Sequence, residues 1–390
     1  MAGNVIVVHG GEEPPDSWAA SLFLAGPTPR SADVASWRPA ALEELERRWD
    51  AEGDLVVFVP EPRGEVWPDY DRQRTWELFW GDRSDIVLFW IPRSPLLPGL
   101  TTNDEWGRWK DTGRAVLGTP PDAMSVRYQR DYATSRGIPL SDTLEATVAT
   151  ALSLIGSGAH RAAGGRHIPL AVWRTPSFQT WLAAQNGAGN ELRWARLEWT
   201  WRAGDRVFFW ALHAHIYVAA ENRMKTNEVV LSRPDISSVL AYRRGPTLAD
   251  TEIVLIREFR TPSASSDGYV LELPGGSHPD AQDPVTLAAA EFSEETGLEI
   301  SPDRLTSHHT RQLAATLSAH RQALFSVELT EPEIDKLRHP TRPQGVTTDS
   351  EITYPLVLPL RTLLTTPQAD WTTLGTLTEV LLTLPNSWSP

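Results

Sequence analysis

Five short, uninterrupted apolar runs in the first 118 residues constrain this chain more than any other feature: "NVIVV" (4–8), "SLFLAG" (21–26), "DLVVFVP" (54–60), "DIVLFWIP" (85–92) and "RAVLG" (114–118). A strand with one wet face alternates apolar and polar residues, whereas a run without alternation is what a strand covered on both faces requires. Between the second and third runs, "SWRPAALEELERRW" (36–49) puts Ala41, Leu42, Leu45 and Trp49 on one helical face, with Ser36 as a cap and Pro39 in the first turn. Strand, helix, strand in this order predicts a mainly parallel sheet with helices on both faces. In such sheets ligands bind beyond the carboxyl ends of the strands, so the loops after the strands matter most.

"TLEATVATALSLIG" (143–156) reads as the helix that closes this domain. After it, "GSGAHRAAGGRH" is rich in Gly and Ala and nearly free of large apolar side chains, which predicts a linker over 156–168. The expected division is therefore a first domain at 1–155 and a second at 169–390, within the two to three domains that 390 residues suggest. The second part changes character. "LRWARLEWTWRAGDRVFFWALHAHIYVAA" alternates and is aromatic, further strand-like runs follow at 236–244, 252–260 and 269–276, and only then comes a helix, a pattern of the α+β class.

Composition excludes several functions. A net charge of -14 argues against a broad footprint on a nucleic-acid polymer, which needs clustered Lys and Arg. With no cysteine, disulfides, thiolate catalysis and Cys-ligated zinc are ruled out. No stretch reaches the roughly 18 apolar residues of a membrane span, and "MAGNVIVVHGGEEPPDSW" lacks the basic start and apolar run of a secretory signal, so a cytoplasmic location is expected.

The most informative chemistry lies in "AAAEFSEETGLEI" (288–300), where Glu291, Glu294 and Glu295 fall at i, i+3 and i+4 of a helix that ends at Gly297. Positions so spaced share a face, and three bare carboxylates there repel. Alone they also suit a solvated acidic face. The surroundings are more specific: Gly276, five residues, Gln282, seven residues, then Ala290-Glu291-Phe292-Ser293-Glu294-Glu295-Thr296-Gly297-Leu298. This resembles the Nudix hydrolase box, with matching spacing throughout and two departures, Gln282 where the family has Glu and Ala290 where it has Arg. The resemblance implies that Glu291, Glu294 and Glu295 hold Mg²⁺ or Mn²⁺ and that Glu294 and Glu295 serve catalysis. Mg²⁺ takes hard oxygen ligands and shares substrate phosphate, so it would relieve the repulsion and polarise a diphosphate.

"VLIREFRTPSASSDGYVLELPGG" (254–276) further resembles the ADP-ribose pyrophosphatase-like branch. By that likeness Arg257 and Arg260 meet phosphate or ribose and Glu272 joins the metal shell, although the arginines read equally as an exposed strand face. Asp349 and Glu351 are candidates for a further acidic ligand or base from a later loop. His308, His309 and His320 can titrate near neutrality, but surface or satisfied histidines are commoner than catalytic ones.

In the first part, "LFLAGPTPR" (22–30), "SWRPAAL", "FVPEPRG", "RTWELFWGDRSDIVLFWIPRS" and "LPGLTTNDEWGRW" follow one another at compact spacing. Over about residues 4 to 150 they resemble the nucleoside 2-deoxyribosyltransferases and their nucleotide N-glycosidase relatives, which implies a flavodoxin/Rossmann-like sheet. The likeness implies that Glu105, in "TTNDEWG", attacks the anomeric carbon of a sugar; read from the residues alone, it is also an acidic residue suited to a helix N-terminus after Thr102 or Asn103 as cap. It also implies that Glu77, eight positions before Asp85, assists at the sugar or base, a longer side chain than the Asp usual there. Gly26, Pro27, Thr28 and Arg30 are the expected substrate loop. A close carboxylate suits the oxocarbenium character of N-glycosidic cleavage. Of the nearby tryptophans (Trp67, Trp76, Trp80, Trp90, Trp106 and Trp109), some can stack a base while most serve the core.

Together these readings predict an α/β domain fused to an α+β domain of the Nudix fold. The predicted function is cleavage or transfer at an N-glycosidic bond in the first and Mg²⁺-dependent hydrolysis of a nucleoside diphosphate-linked substrate in the second. The expected partner is a small nucleoside or nucleotide, with no nucleic-acid polymer and no membrane, and a homodimer is possible. A nucleotide sensor in which one or both domains do not turn over their ligand remains the alternative.

Overall fold

The computed structural model describes residues 3–30, 33–64, 69–280, 282–340, 342–345 and 351–383. The chain forms two compact units, residues 1–230 and 231–390.

The first unit is built on a six-stranded sheet. Its spatial order is Val5–His9, Leu55–Val59, Ala20–Ala25, Ile86–Trp90, Ala115–Gly118 and Leu140–Ser141, and every pair is parallel. The five apolar runs supply five of these strands; the sixth is two residues long and leaves no run to read. Burial on both faces is direct. Leu22 and Leu24 join Ala41, Leu45, Val148 and Ile155 in one core, whereas Phe23 and Ala25 join Trp80, Trp106, Trp109 and Ala133 in the other. Successive residues of one strand thus fill opposite layers, and helices cover each. Four of the tryptophans (Trp80, Trp90, Trp106 and Trp109) are buried in these cores, Trp76 packs against one, and Trp67 lies outside the described residues.

The Gly/Ala-rich stretch at 156–168 is fixed in place. Arg161 pairs with Trp18 in a short antiparallel bridge, and its guanidinium forms a fully buried ion pair with Asp85 at 2.5 Å. Asp85 also accepts from Ser21 N and Leu170 N, both at 2.7 Å, so the carboxylate is satisfied on all sides. The glycines serve close approach: a Cβ on Gly164 would lie 2.5 Å from Leu192 O, and one on Gly158 2.7 Å from Ala19 O. Beyond it, Glu191–Ala203, Arg206–Val218 and Arg223–Ser232 form the expected antiparallel aromatic hairpins as a three-stranded sheet.

The second unit holds a mixed sheet. Its main path runs Tyr269–Glu272, Glu252–Phe259, Ile236–Arg243, Arg321–Glu328 and Thr306–Gln312, with Thr353–Pro359 paired to Glu252–Phe259 and Gly275–Gly276 to Ile236–Arg243. Helix Pro284–Thr296 buries Ala288, Ala289 and Phe292 against Val239, Ala241 and Val254. Helix Trp371–Thr383 buries Leu377, Val380 and Leu381 against Leu240, Ile253 and Leu255 on the other face. Among the described residues no helix is long and apolar enough to cross a membrane.

Candidate functional site

Each unit gathers carboxylates at one place, half-buried in the first and half-buried to buried in the second. In the first, the chain leaves Ala20–Ala25 toward the neighbouring strand Leu55–Val59 on one side, and leaves Ile86–Trp90 toward Ala115–Gly118 on the other. Connections that diverge in this way open a crevice at the carboxyl ends of the two central strands. The loop Gly26-Pro27-Thr28 lines up there. Gly26 is required: a Cβ would come within 2.3 Å of Trp90 O and 2.9 Å of the Trp37 ring. Arg38, 1% exposed, ties the loop together, donating to Gly26 O at 2.9 Å, to Thr28 Oγ1 at 3.1 Å and to Glu61 Oε1 at 2.6 Å. Ser36, expected as the helix cap, lies one residue before it, since Trp37 takes the N-cap position; Ser36 Oγ accepts from Arg38 N at 3.2 Å and donates to the Glu61 carboxylate at 3.0 Å. Arg30 is exposed at the end of this loop.

Glu105 sits in helix Leu100–Trp109, which is anchored by buried Thr102, Trp106 and Trp109. The helix begins one turn earlier than a Thr102 or Asn103 cap requires, because Gly99 at φ 58 supplies the left-handed entry. Thr102 is instead buried inside the first turn, and Asn103 Oδ1 accepts from Arg93 at 2.7 Å and Gln129 at 2.9 Å. Burial, then the Glu77 carboxylate, pushes Glu105 up to about 8 against the pull of Arg38, with Asp104 adding to the rise. Its Oε2 is buried without a hydrogen-bond partner. Glu77, held by Gln73 Nε2 at 2.8 Å, is also raised, chiefly by burial. Arg38 feels both glutamates as well as Glu61, so the expected pair belongs to one electrostatic cluster whose cation the sequence reading did not single out.

In the second unit, Asp283 caps helix Pro284–Thr296 by accepting from Thr286 N at 3.2 Å, and Gly297 ends it at φ 73. The three glutamates divide. Glu295 follows Ala288 and Phe292 at i+7 and i+3 and shares their buried stripe at 2% exposure, Glu291 is half-buried, and Glu294 is exposed. Gly275 N donates to Glu295 Oε2 at 2.7 Å, while Oε1 has no partner. A Cβ on Gly276 would sit 2.4 Å from the Glu291 carboxylate, which explains a glycine there.

Two strands complete the cluster. Glu258 lies opposite Thr353 in register, Thr353 Oγ1 donates to Glu295 O at 3.0 Å, and Glu351 is two residues before Thr353. Oxygens of Glu258, Glu295 and Glu351 all fall within 4.8 Å of one another. Arg260 Nη2 reaches Glu272 at 2.8 Å and approaches Glu258 Oε2 to 2.9 Å without a hydrogen bond to it. Burial pushes Glu258 up to about 7, opposed by Arg260 and reinforced by Glu351 and Glu272. Glu291 is likewise at about 7 through burial, Glu294 and Glu351, and Glu295 is raised well above the usual range, first by burial. Buried carboxylate oxygens without donors are a hard-oxygen set that fits a divalent cation such as Mg²⁺ or Mn²⁺.

Other candidates lie apart from this cluster. Arg257 is held by Asp267 at 2.8 Å and stacks on Tyr269, with its guanidinium 3.6 Å from the ring centre. His308 contacts Ser326 Oγ at 2.8 Å and His309 contacts Glu379 at 2.9 Å, while burial lowers His320. Gln282 and Ala290 are exposed, and Asp349 lies outside the described residues. Glu258 escaped the sequence reading although it stands between the two arginines in "REFR".

No protein-family model matches this chain, and a search of curated proteins returns no match.

Proposed function

We propose that the chain is a nucleotide-processing enzyme with two catalytic halves. The second hydrolyses a diphosphate-linked nucleotide of the ADP-ribose type in the manner of Nudix hydrolases; the first cleaves or transfers at an N-glycosidic bond in the manner of deoxyribosyltransferases. One observation carries the reading: Glu258, Glu295 and Glu351 converge to within 4.8 Å, with Glu295 Oε1 left buried and unpartnered. Burying like charges so closely is costly unless a cation is shared between them. A bound Mg²⁺ or Mn²⁺ would supply charge neutralisation and polarisation of a phosphoanhydride. Glu258, Glu295 and Glu351, with Glu291 beside them, would hold it. Arg260, steadied by Glu272, is positioned to meet phosphate at the edge of the cluster, and Gly275 N fixes the rotamer of Glu295.

In the first half, Glu105 is the carboxylate for the anomeric carbon and Glu77 the second acid. The upward shift of Glu105 to about 8 means that in the free chain it carries a proton at neutral pH and attacks only after losing it. Activity of this half should therefore rise with pH toward a midpoint near 8. A fall over that interval would make Glu105 a proton donor instead.

The test incubates the protein with nucleosides, nucleoside monophosphates and ADP-ribose, with and without Mg²⁺, and separates free base from phosphate products by chromatography. Glu105→Gln should remove base release alone, and Glu295→Gln should remove Mg²⁺-dependent phosphate products alone. Nucleotide-dependent stabilisation with no product in either arm would favour the sensor and overturn the catalytic reading.

A further inference from the structure

The parallel sheet has a second cavity at the end where its strands begin, opposite the end that carries Glu105. It encloses about 630 Å³ and is lined by Ile86 and Ala115, each the first residue of its strand, and by Arg114, Arg174 and Arg202. Every hydrogen bond these three guanidiniums make is to a backbone carbonyl: Arg114 to Gly81 O and Ser84 O, Arg174 to Ile155 O and Gly158 O, and Arg202 to Asp205 O. Among the described residues none of the three is in an ion pair, and Arg114, 5% exposed, keeps a buried Nε with no partner.

The carboxylates at the cavity are mostly committed elsewhere. Asp85 is consumed by Arg161 in the fully buried pair, and Asp111 by Lys110 and Arg136. Gly81 and Ile155 end helices, and a helix C-terminus offers only about half a negative charge. Those two ends and Asp205 leave about one unit of positive charge uncompensated. An adjoining cavity shows the other arrangement, since there Arg108 pairs with Asp82 and Arg196 with Glu198, both at 2.7 Å. Arg114 is buried, and burial pulls it down to about 10; Arg202 is half-buried and Arg174 exposed at the mouth, and both are lowered less. Leu154, Ile155 and Leu170 give the same cavity an apolar side.

We propose that this cavity binds a small organic phosphate, its phosphate against the guanidiniums that line the cavity and its apolar part against Leu154, Ile155 and Leu170. Guanidiniums match phosphate geometry, and the volume suits one ligand of metabolite size. The site lies away from Glu105, so occupancy would not compete with a substrate there. The inference rests on no assumption about catalysis.

Calorimetry on the full chain in EDTA, with phenyl phosphate as probe and phenol as the uncharged control, tests it. Phenyl phosphate should bind and phenol should not. Arg174→Gln with Arg202→Gln should weaken binding by about tenfold or more, and Glu105→Gln should leave it unchanged. Leu154 is 49% exposed, so Leu154→Glu is tolerated by the fold while placing a negative charge at the rim, and it too should weaken binding severalfold. No isotherm for phenyl phosphate, equal binding of phenol, or binding that is indifferent to Leu154→Glu overturns the proposal.

Discussion

Glu105 and Glu295 are both helical glutamates raised in pKa first by burial, and both keep a buried oxygen without a donor. Their company differs. Around Glu105 the fold supplies its own cation, since Arg38 is enclosed among Glu61, Glu77 and Glu105 and hydrogen-bonded to the loop that shapes the crevice. Around Glu295 the neighbours are Glu258, Glu291 and Glu351, and the nearest guanidinium, Arg260, is drawn to the edge by Glu272. The first cluster encloses its cation, whereas the second has its cation at one side, Arg260 lying 2.9 Å from Glu258 Oε2 and shared with Glu272. Under the proposed function, a helical glutamate serves metal-free chemistry in one unit and metal-assisted chemistry in the other, according to how fully an arginine is enclosed among its neighbours.

The sharpest way to break this contrast is to remove the internal cation. Arg38→Met leaves the Glu61 carboxylate, which is 21% exposed, with Ser36 Oγ but no cation, and removes the hydrogen bonds to Gly26 O and Thr28 Oγ1. Removing one partner of a largely buried ion pair costs about 3 kcal/mol or more. Chemical denaturation of Arg38→Met should show a loss of that size at pH 7, and Mg²⁺ should not restore it. The complementary test adds the external cation. At a hundred times its dissociation constant a ligand of the native state stabilises by about 2.7 kcal/mol. Mg²⁺ or Mn²⁺ should raise the thermal midpoint of wild type and of Glu105→Gln, and should fail to raise that of Glu258→Gln with Glu295→Gln. A metal response that persists in the latter places the ion elsewhere.

A third prediction concerns the sign of the Glu105 shift. An acid raised from its ordinary value to about 8 binds more protons folded than unfolded in that interval, so its stability contribution falls as pH rises through it. Glu105→Gln, which stays neutral, should increase stability by less than about 1 kcal/mol at pH 5 and by up to about 4 kcal/mol at pH 8. Equal stabilisation at both pH values would mean that Glu105 ionises in the fold near its ordinary value, so that folding takes up no proton between them.

How much of this was legible depends on whether a feature is local. The parallel sheet could be read because covering both faces leaves Leu22, Phe23, Leu24 and Ala25 all apolar, a pattern no half-exposed strand tolerates. The stretch 156–168 was misleading because composition does not distinguish a glycine that gives freedom from one that gives room; Gly158 and Gly164 give room. The helix spacing correctly put Glu295 beside Glu291 and Glu294, but i, i+3, i+4 geometry cannot tell which of three neighbours the core stripe will take. That follows from Ala288 and Phe292, which point Glu295 inward and leave Glu294 out. Glu351 could be named as a candidate from the loop beyond the box, but its meeting with Glu258 depends on the pairing of strands almost a hundred residues apart, and a single sequence carries no local mark of that register. Arg38 shows the same limit, as its position in the first turn of an amphipathic helix gives no sign that it will be buried against Leu24 O and Gly26 O.

The smallest expected effect sharpens the comparison from the glycine side. Gly276 pairs with Ser237 at the rim of the second cluster, and any Cβ there meets the Glu291 carboxylate at 2.4 Å. That carboxylate is the end of a flexible, half-buried side chain, so Gly276→Ala should displace it outward instead of unfolding the strand, at a cost of about 1 kcal/mol. If Glu291 shares the cation with Glu258, Glu295 and Glu351, this displacement should weaken the Mg²⁺-dependent rise in thermal midpoint while lowering the metal-free midpoint by only about 2–4 °C. Glu291→Gln should reproduce the weaker response. A full Mg²⁺ response in Gly276→Ala would confine the ion to the three carboxylates that lie within 4.8 Å of one another and remove Glu291 from the shell.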